Sequence, residues 1–313
     1  MSFIGKLVAL GERQLEQEKK AAELITSTLK RENIPFEVHT FETSVPRFIS
    51  ASLTLDGEEI DCAATSFVSG EITSADTVTS SLISSQLLSD VPNINFNPRC
   101  ASISRGNHYF APSLAVRASD VGRILSAKDV RGRVDVERVD TTSQNILVGN
   151  LEQPKTVLIC HYDSVGPGAT DNASGTAMLM RIIIERPDLL DENLFVIGGN
   201  EELSYDYPLY WGRGYREFER AYREVLPGAK QILVVDCVGD APVTFDGNVA
   251  TIRLGFPVTQ LESLAPKTAL VYGSWGTLMK VYQSDIDVPQ VLSRQYLDET
   301  YQAVVDRIEE KLL

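Results

Sequence analysis

Three continuous apolar runs in the second half of the chain constrain its fold most strongly. They are TVLIC at 156–160, LFVIGG at 194–199 and QILVVD at 231–236. Uninterrupted apolar runs of this length are typical of strands that are buried on both faces. Segments with helical character, at 172–186 and 208–226, lie between them. This alternation predicts an α/β fold with a mainly parallel or mixed sheet and helices on both faces.

The rest of the chain predicts helices at both ends and a β-rich region between the first helix and the strands. Residues 4–31 place apolar side chains at helical spacing, which predicts one amphipathic helix, and the last segment predicts another. Residues 35–139 combine short β-like pieces with polar turns and one helix near 119–126. We therefore expect an α/β domain of residues 1–34 and 140–313, interrupted by a small β-rich lobe at 35–139.

The composition argues against several classes of partner. The 313 residues carry a formal charge of -14 at pH 7, whereas nucleic-acid binding needs an excess of Lys and Arg. No apolar run reaches the length of about 18 residues that spans a membrane. The N-terminus becomes charged early and lacks a small-residue cleavage site, which predicts a cytoplasmic protein. The acidic balance mildly favours cationic ligands, such as metal ions or free amino termini.

The cysteines show no CxxC pairing. They are Cys62, Cys100, Cys160 and Cys237. This spread is typical of reduced thiols in a cytoplasmic protein, and not of a disulfide framework or a Cys-type zinc site. Cys160 and Cys237 lie in or beside apolar runs, where we expect them to act as small hydrophobic residues.

Ionisable side chains follow each of the three apolar runs. They are His161, Asp163 and then Asp171 after the first run, Glu201 and Glu202 after the second, and Asp236 at the end of the third. Since ligands bind at the carboxyl ends of strands in open α/β sheets, we expect these side chains to meet in one crevice. An imidazole with several carboxylates suits zinc, and a bridging carboxylate holds two ions about 3.5–4 Å apart. The pattern predicts a two-metal hydrolase, with a further carboxylate as the proton acceptor.

At this point the motifs resemble a known family. HYDS, PGATDNASGTA, NEE and VVD together are similar to the M28 family of metallo-aminopeptidases, over roughly residues 145–300. The combination of HxD, DNxSG and EE is specific, whereas any one piece alone is weak. The resemblance implies a zinc-exopeptidase-like fold, with a lobe similar to a reduced protease-associated domain. It also implies a zinc-activated water that removes N-terminal residues from peptide or aminoacyl substrates.

The resemblance further implies the metal ligands. His161 and Asp236 would bind one zinc ion, Asp171 would bridge two ions, and Glu202 would bind the second. The family's last ligand is a histidine in a late segment that reads VYQSDID here, with Gln283 at the histidine position. An amide oxygen is a weak neutral ligand, so the second site should be weaker or empty. We expect at most one firmly bound zinc ion and weak or metal-dependent activity.

Two more residues complete the implied machinery. Glu201 would be the general base, and Asp163 would hold the His161 ring by its other nitrogen. Ordinary structural roles are the alternatives: Asp171 as a helix cap, and the two glutamates as a solvated charge pair. Asp285 or Asp287 is an alternative source of the missing ligand.

Three functions remain open from the sequence. The intact ligands and base favour an aminopeptidase, whereas the missing histidine favours a non-catalytic homologue that serves as a binding or assembly module. A one-metal acyl-transfer enzyme related to glutaminyl cyclases is less favoured, because its single zinc uses the position lost at Gln283. The aromatic residues after the glutamates, Tyr205, Tyr207, Tyr210 and Trp211, either line a substrate pocket or form an aromatic cluster in the core or on the surface. We expect His108 to be a surface or lobe residue.

Overall fold

The computed structural model describes residues 2–73, 75, 77–82 and 90–310, and it opens with two helices. These are α1, Phe3–Val8, and α2, Glu16–Arg31. The prediction of one continuous helix over residues 4–31 is therefore wrong. Gly11 and Leu15 have positive φ angles, of 76° and 52°, and they turn the chain between the two helices.

Strands make up much of the described chain. In chain order they are β1 (Glu37–Leu55), β2 (Glu58–Ile60), β3 (Ala63–Ala64), β4 (Gly70–Ile72), β5 (Val78–Ser80), β6 (Asn93–Phe96), β7 (Ser113–Val116), β8 (Val130–Gly149), β9 (Thr156–His161), β10 (Asn193–Gly198), β11 (Gln231–Val235), β12 (Thr244–Asp246) and β13 (Thr268–Tyr272). The later helices are α3 (Val121–Ser126), α4 (Gly175–Glu185), α5 (Arg213–Ala221), α6 (Val225–Gly228), α7 (Val249–Gly255), α8 (Leu261–Leu264), α9 (Trp275–Leu278) and α10 (Arg294–Ile308). A kinked turn, Ala169–Ser174, precedes α4, and Asp171 and Asn172 within it have non-helical backbone angles.

The main sheet is mixed. Its order is β12-β13-β11-β9-β10-β8-β1-β2, and β4 also pairs with β8. The four strands β13, β11, β9 and β10 run parallel, and their neighbours on either side pair antiparallel. Every residue of β9 and β10 is buried, as expected for parallel strands covered on both faces. The predicted α/β fold with a mainly parallel or mixed sheet is confirmed.

Two apolar layers hold the helices against this sheet. Leu179 of α4 and Val304 of α10 belong to one layer, and Phe218 of α5 belongs to the other. Along β9, Leu158 packs into the first layer and Ile159 into the second. This alternation follows from the two-residue period of a strand, and it explains why the whole run had to be apolar.

A smaller sheet, in the order β3-β7-β6-β5, forms the core of the predicted lobe. A long antiparallel ribbon of β1 and β8 joins it to the main sheet, with a register from Glu37 opposite Leu147 to Leu55 opposite Val130. The predicted boundary near residue 140 lies inside β8. The division of the chain into two domains stays a prediction.

Several predicted helices are shorter than the sequence suggested. The segment at 208–226 becomes helical only at Arg213, since Gly212 has a left-handed backbone with φ of 76°. The C-terminal helix ends at Ile308, and residues 311–313 lie outside the described part of the chain. Within the described ranges, no helix is both long and apolar enough to cross a bilayer. The four cysteines are free thiols.

Candidate metal centre

The carboxyl ends of β9, β10 and β11 bring four of the predicted ligands together. His161 Nε2 lies 3.3 Å from an Asp171 oxygen and 3.5 Å from an Asp236 oxygen. Ligand atoms of His161, Asp171 and Glu202 all lie within 4.8 Å of one another. The least buried of the four side chains, that of Asp236, is 15% exposed. The expected convergence in one crevice is therefore observed, and the assignment of individual roles stays a proposal.

The turn that carries Asp171 is held by main-chain hydrogen bonds. Gly168 begins the turn in a left-handed conformation, and a Cβ there would collide with the Asp171 carbonyl oxygen. The two oxygens of Asp287 accept hydrogen bonds from the N–H groups of Thr170 and Asp171, at 2.9 and 3.1 Å. Asp287 is thus engaged in supporting the turn. Asp285 is exposed and accepts a hydrogen bond from a serine hydroxyl.

Asp163 supports both glutamates and the histidine. Its two carboxylate oxygens accept hydrogen bonds from the N–H groups of Glu201 and Glu202, each at 2.9 Å. Its main-chain oxygen lies 3.2 Å from His161 Nδ1, and its Oδ1 lies 3.5 Å from the same nitrogen. An acceptor at Nδ1 holds a ring proton there, so that Nε2, the nitrogen that faces Asp171 and Asp236, is the one that would bind a metal ion. This geometry agrees with the positioning role that the resemblance implies.

The break between α1 and α2 delivers two side chains that the sequence analysis missed. Arg13 is fully buried and donates three hydrogen bonds of 2.6–3.0 Å to main-chain carbonyls in the loop 162–168. Gln14 donates from Nε2 to Asp163 Oδ2 at 3.3 Å. These contacts fix the loop that follows His161. The only sequence signal was the glycine that interrupts the helical pattern, Gly11.

Gln283 lies beside Glu202, but its amide nitrogen, and not its amide oxygen, faces that carboxylate. Its Nε2 donates to Glu202 Oε2 at 2.5 Å, and its Oε1 is buried without a hydrogen-bond partner among the described residues. The backbone of Gln283 is left-handed, with φ of 46°. In this arrangement Gln283 is a hydrogen-bond donor to a predicted ligand, and its own role as a metal ligand stays a proposal.

The small lobe supports the segment that carries Gln283. The Arg105 N–H donates to the Gln283 carbonyl at 2.9 Å, and the Ser104 hydroxyl donates to the Tyr282 carbonyl at 2.6 Å. The Arg105 guanidinium also pairs with Glu12, next to the buried Arg13. The lobe and the N-terminal segment are therefore linked to each other and to the site.

The buried carboxylates of the site repel one another. Burial raises the pKa of Asp171 to about 6, and it raises the pKa values of Glu201 and Glu202 well above their ordinary range, with further increases from neighbouring carboxylates. Burial alone lowers the pKa of His161, but Tyr215 and the surrounding carboxylates raise it well above its ordinary value. A divalent cation relieves such repulsion, so the donor set of one imidazole and several carboxylates fits zinc.

An aromatic cluster joins the lobe to the glutamate loop. Phe67 and Tyr210 are buried in it, and Tyr205 and Trp211 pack against it. Tyr207, in contrast, is 61% exposed. Of the two alternatives for these aromatic residues, pocket or cluster, Tyr210 therefore follows the second and lies in a buried cluster. His108 is a lobe residue, as expected, but it is buried against the rings of Phe67 and Tyr210.

Comparisons with known proteins agree with this geometry. A family model described as peptidase family M28 matches residues 146–202, the segment that contains His161, Asp163, Asp171 and both glutamates. The zinc aminopeptidase BSAP from Bacillus subtilis has a similar structure, with a TM-score of 0.71 and 18% sequence identity over 99% of this chain and 93% of that chain. A search of curated proteins found no match.

Other solved structures share the fold. The aminopeptidase from Aneurinibacillus sp. strain AM-1 gives a TM-score of 0.61 at 17% identity, over 97% of this chain and 92% of that chain. The glutaminyl cyclase of Porphyromonas gingivalis gives 0.52 at 13% identity, over 99% of this chain and 96% of that chain. The fold is thus zinc-exopeptidase-like, and together with the site it supports a metal-dependent peptidase. The predicted resemblance to the M28 family is confirmed over the matched segment.

Proposed function

We propose that the chain is a zinc-dependent aminopeptidase that acts on peptides or aminoacyl substrates with a free amino terminus. The observation that carries the proposal is the meeting of His161 and three carboxylates, those of Asp171, Glu202 and Asp236, at one sheet edge. These four residues would hold the metal, with Asp171 shared if two ions bind. Bound zinc supplies Lewis acidity for water activation and carbonyl polarisation.

Glu201 is the proposed general base. Its main-chain N–H is held by Asp163, and the residue is only 6% exposed. Burial raises its pKa well above the ordinary value for a glutamate, and the neighbouring carboxylates raise it further. It takes a proton from the attacking water and returns it to the leaving amine. Asp163 acts through Glu201 and His161 as a positioning residue.

A pair of peptides that differ only at the amino terminus tests the exopeptidase proposal. With zinc present, the purified protein should release the first residue of a short peptide with a free amino terminus. The same peptide with an acetylated amino terminus should stay intact, because the ammonium group is proposed to bind among the carboxylates. Chromatographic detection of the released residue is the measurement. Cleavage of the acetylated peptide at internal bonds would contradict an aminopeptidase.

Gln283→His is the matching repair experiment. An imidazole beside Glu202 adds the nitrogen donor that zinc prefers, whereas the present amide only donates a hydrogen bond there. We expect a higher zinc content and a higher kcat than in the unmodified protein. Gln283→Asn, which keeps an amide, is the control and should not raise either quantity. No gain in zinc content from Gln283→His would contradict the placement of Gln283 at the metal.

The rival proposal is a non-catalytic homologue. It is supported by the hydrogen bond from Gln283, which engages a Glu202 oxygen that a second ion would need. A folded protein that binds zinc but cleaves neither form of the peptide would favour this alternative. An acyl-transfer enzyme related to glutaminyl cyclases stays less favoured.

A further inference from the structure

A buried carboxyl group lies behind the loop 199–202, which carries both glutamates of the site. Glu18 belongs to α2, and the residue is only 3% exposed. The hydroxyl of Ser143, in β8, donates a hydrogen bond to Glu18 Oε1. The next residue of the helix, Lys19, forms its ion pair with the exposed Glu16, at 3.1 Å. An ionised carboxylate that is buried without a paired cation is unfavourable, so this environment favours a neutral Glu18.

The main chain of Gly199 packs directly against this carboxyl group. A Cβ at Gly199 would lie 2.6 Å from Glu18 Oε1, 2.6 Å from Ser143 Oγ and 2.5 Å from the Tyr162 hydroxyl oxygen. We call Glu18, Ser143 and Tyr162 the polar cluster. Its three side chains come from α2, from β8 and from the residue after β9, and they meet at the residue after β10. Only glycine allows the loop 199–202 to begin so close to them.

The loop that the polar cluster supports also carries the proposed general base. The N–H of Glu201 donates to Asp163, whose charge acts on Glu18 as well. Burial, and then the charge of Asp163, raise the pKa of Glu18 to about 8. Hydrogen bonds from Ser143 and from the Asn200 main chain oppose this increase in the pKa. Glu18 is therefore neutral near pH 7, and it ionises in the alkaline range.

We propose that Glu18 is a positioning residue of the peptidase, and that its neutral carboxyl group holds the loop 199–202 in the arrangement that catalysis needs. Ionisation of Glu18 would place a second negative charge near Asp163. Repulsion between the two charges, and the demand of a buried carboxylate for water, would then displace Glu201. The titratable and charged groups that face Glu18 are those of Asp163, Tyr162 and Lys19. This role presupposes the proposed function and adds an alkaline limit to it.

The pH dependence of kcat tests the role of Glu18. With the zinc-loaded protein and a saturating peptide, kcat should fall about tenfold from about pH 7 to about pH 9, because only about a tenth of the Glu18 groups stays neutral at the higher pH. Glu18→Gln keeps the size and an acceptor oxygen for Ser143 but cannot ionise, so its kcat should fall much less. Glu16→Gln, at an exposed glutamate of the same helix, is the control and should show the unmodified profile.

Ser143→Ala should move the profile in the opposite direction. The hydroxyl donates to Glu18 and thereby stabilises the ionised form. Without the hydroxyl the pKa of Glu18 should rise, and the alkaline fall of kcat should move to a higher pH. A residue that only filled space behind Gly199 would not produce this shift.

Thermal unfolding of the same samples gives a readout that does not depend on activity. The folded protein keeps the proton of Glu18 up to about pH 8, whereas the unfolded chain loses it near the ordinary pKa of a glutamate. The folded state therefore binds more protons in this window, and stability falls as the pH rises. From about pH 5 to about pH 8, the unfolding midpoint should fall more in the unmodified protein than in Glu18→Gln.

The outcomes separate the role of Glu18 from the proposed function. An equal alkaline fall of kcat in the unmodified protein and in Glu18→Gln overturns the role of Glu18 and leaves the peptidase standing. A protein that cleaves no peptide at any pH overturns the peptidase and this positioning role together, and the unfolding midpoints then show only whether Glu18 is neutral. If Glu18→Gln does not fold, Ser143→Ala decides: an unmoved alkaline fall overturns the role, and a fall at higher pH supports it.

Discussion

Replacement of Glu201 by glutamine is expected to lower kcat for a peptide with a free amino terminus by about 10²–10⁴-fold. Glutamine keeps the size of the side chain, and the main-chain hydrogen bond to Asp163 is not affected by the change. The glutamine side chain cannot accept the proton of the attacking water. Zinc content, measured on the same preparation by elemental analysis, should stay at the level of the unmodified protein, because Glu201 is not a proposed ligand.

Glu202→Gln is the matched control for that variant. The two glutamates are adjacent, and the N–H of each is bound by the same Asp163 carboxylate. The Glu202 side chain groups with those of His161 and Asp171, with ligand atoms within 4.8 Å of one another, so its loss should lower zinc content as well as kcat. If Glu201→Gln loses zinc and Glu202→Gln keeps it, the two roles must be exchanged.

The parallel part of the sheet could be predicted because a local sequence pattern marks its strands. Each of the three apolar runs needed burial on both faces, and each became a parallel strand, β9, β10 or β11. The long ribbon of β1 and β8 could not be predicted in the same way. Its strands are half-exposed, lie far apart in the sequence, and depend on a pairing that no local pattern specifies.

The predicted ligands were accessible to sequence reasoning because each follows a buried strand or its loop. The role of Arg13 could not be predicted, because a single arginine in a charged helical pattern resembles any solvated arginine. Its burial depends on the break at residues 9–15 and on carbonyl groups supplied by the loop 162–168. The contact of Cys237 Sγ with Asp236, at 3.2 Å, could not be predicted either, since a thiol next to an apolar run gives no sign of its orientation.

Arg13 and Asp287 together hold the loops that carry His161 and Asp171. Arg13 satisfies carbonyl groups of the chain between them, and Asp287 satisfies N–H groups of the Asp171 turn. Each buried group left without its partner would cost about 1–3 kcal/mol of stability. The protein's own contacts thus hold both ligand-bearing loops, and firm support of this kind is the condition for precise ligand geometry.

Zinc content of the purified protein tests the central claim most directly. After dialysis against metal-free buffer and addition of zinc, the unmodified protein should retain at least about one ion per chain, because His161, Asp171 and Asp236 offer three ligands at one point. Asp171→Asn, which alters the carboxylate proposed to be shared between ions, should retain far less while keeping its fold by circular dichroism. Asp285→Asn, at an exposed site, should retain as much as the unmodified protein. A folded unmodified protein that retains no zinc, or an Asp171→Asn variant that retains as much as the unmodified protein, would contradict the account.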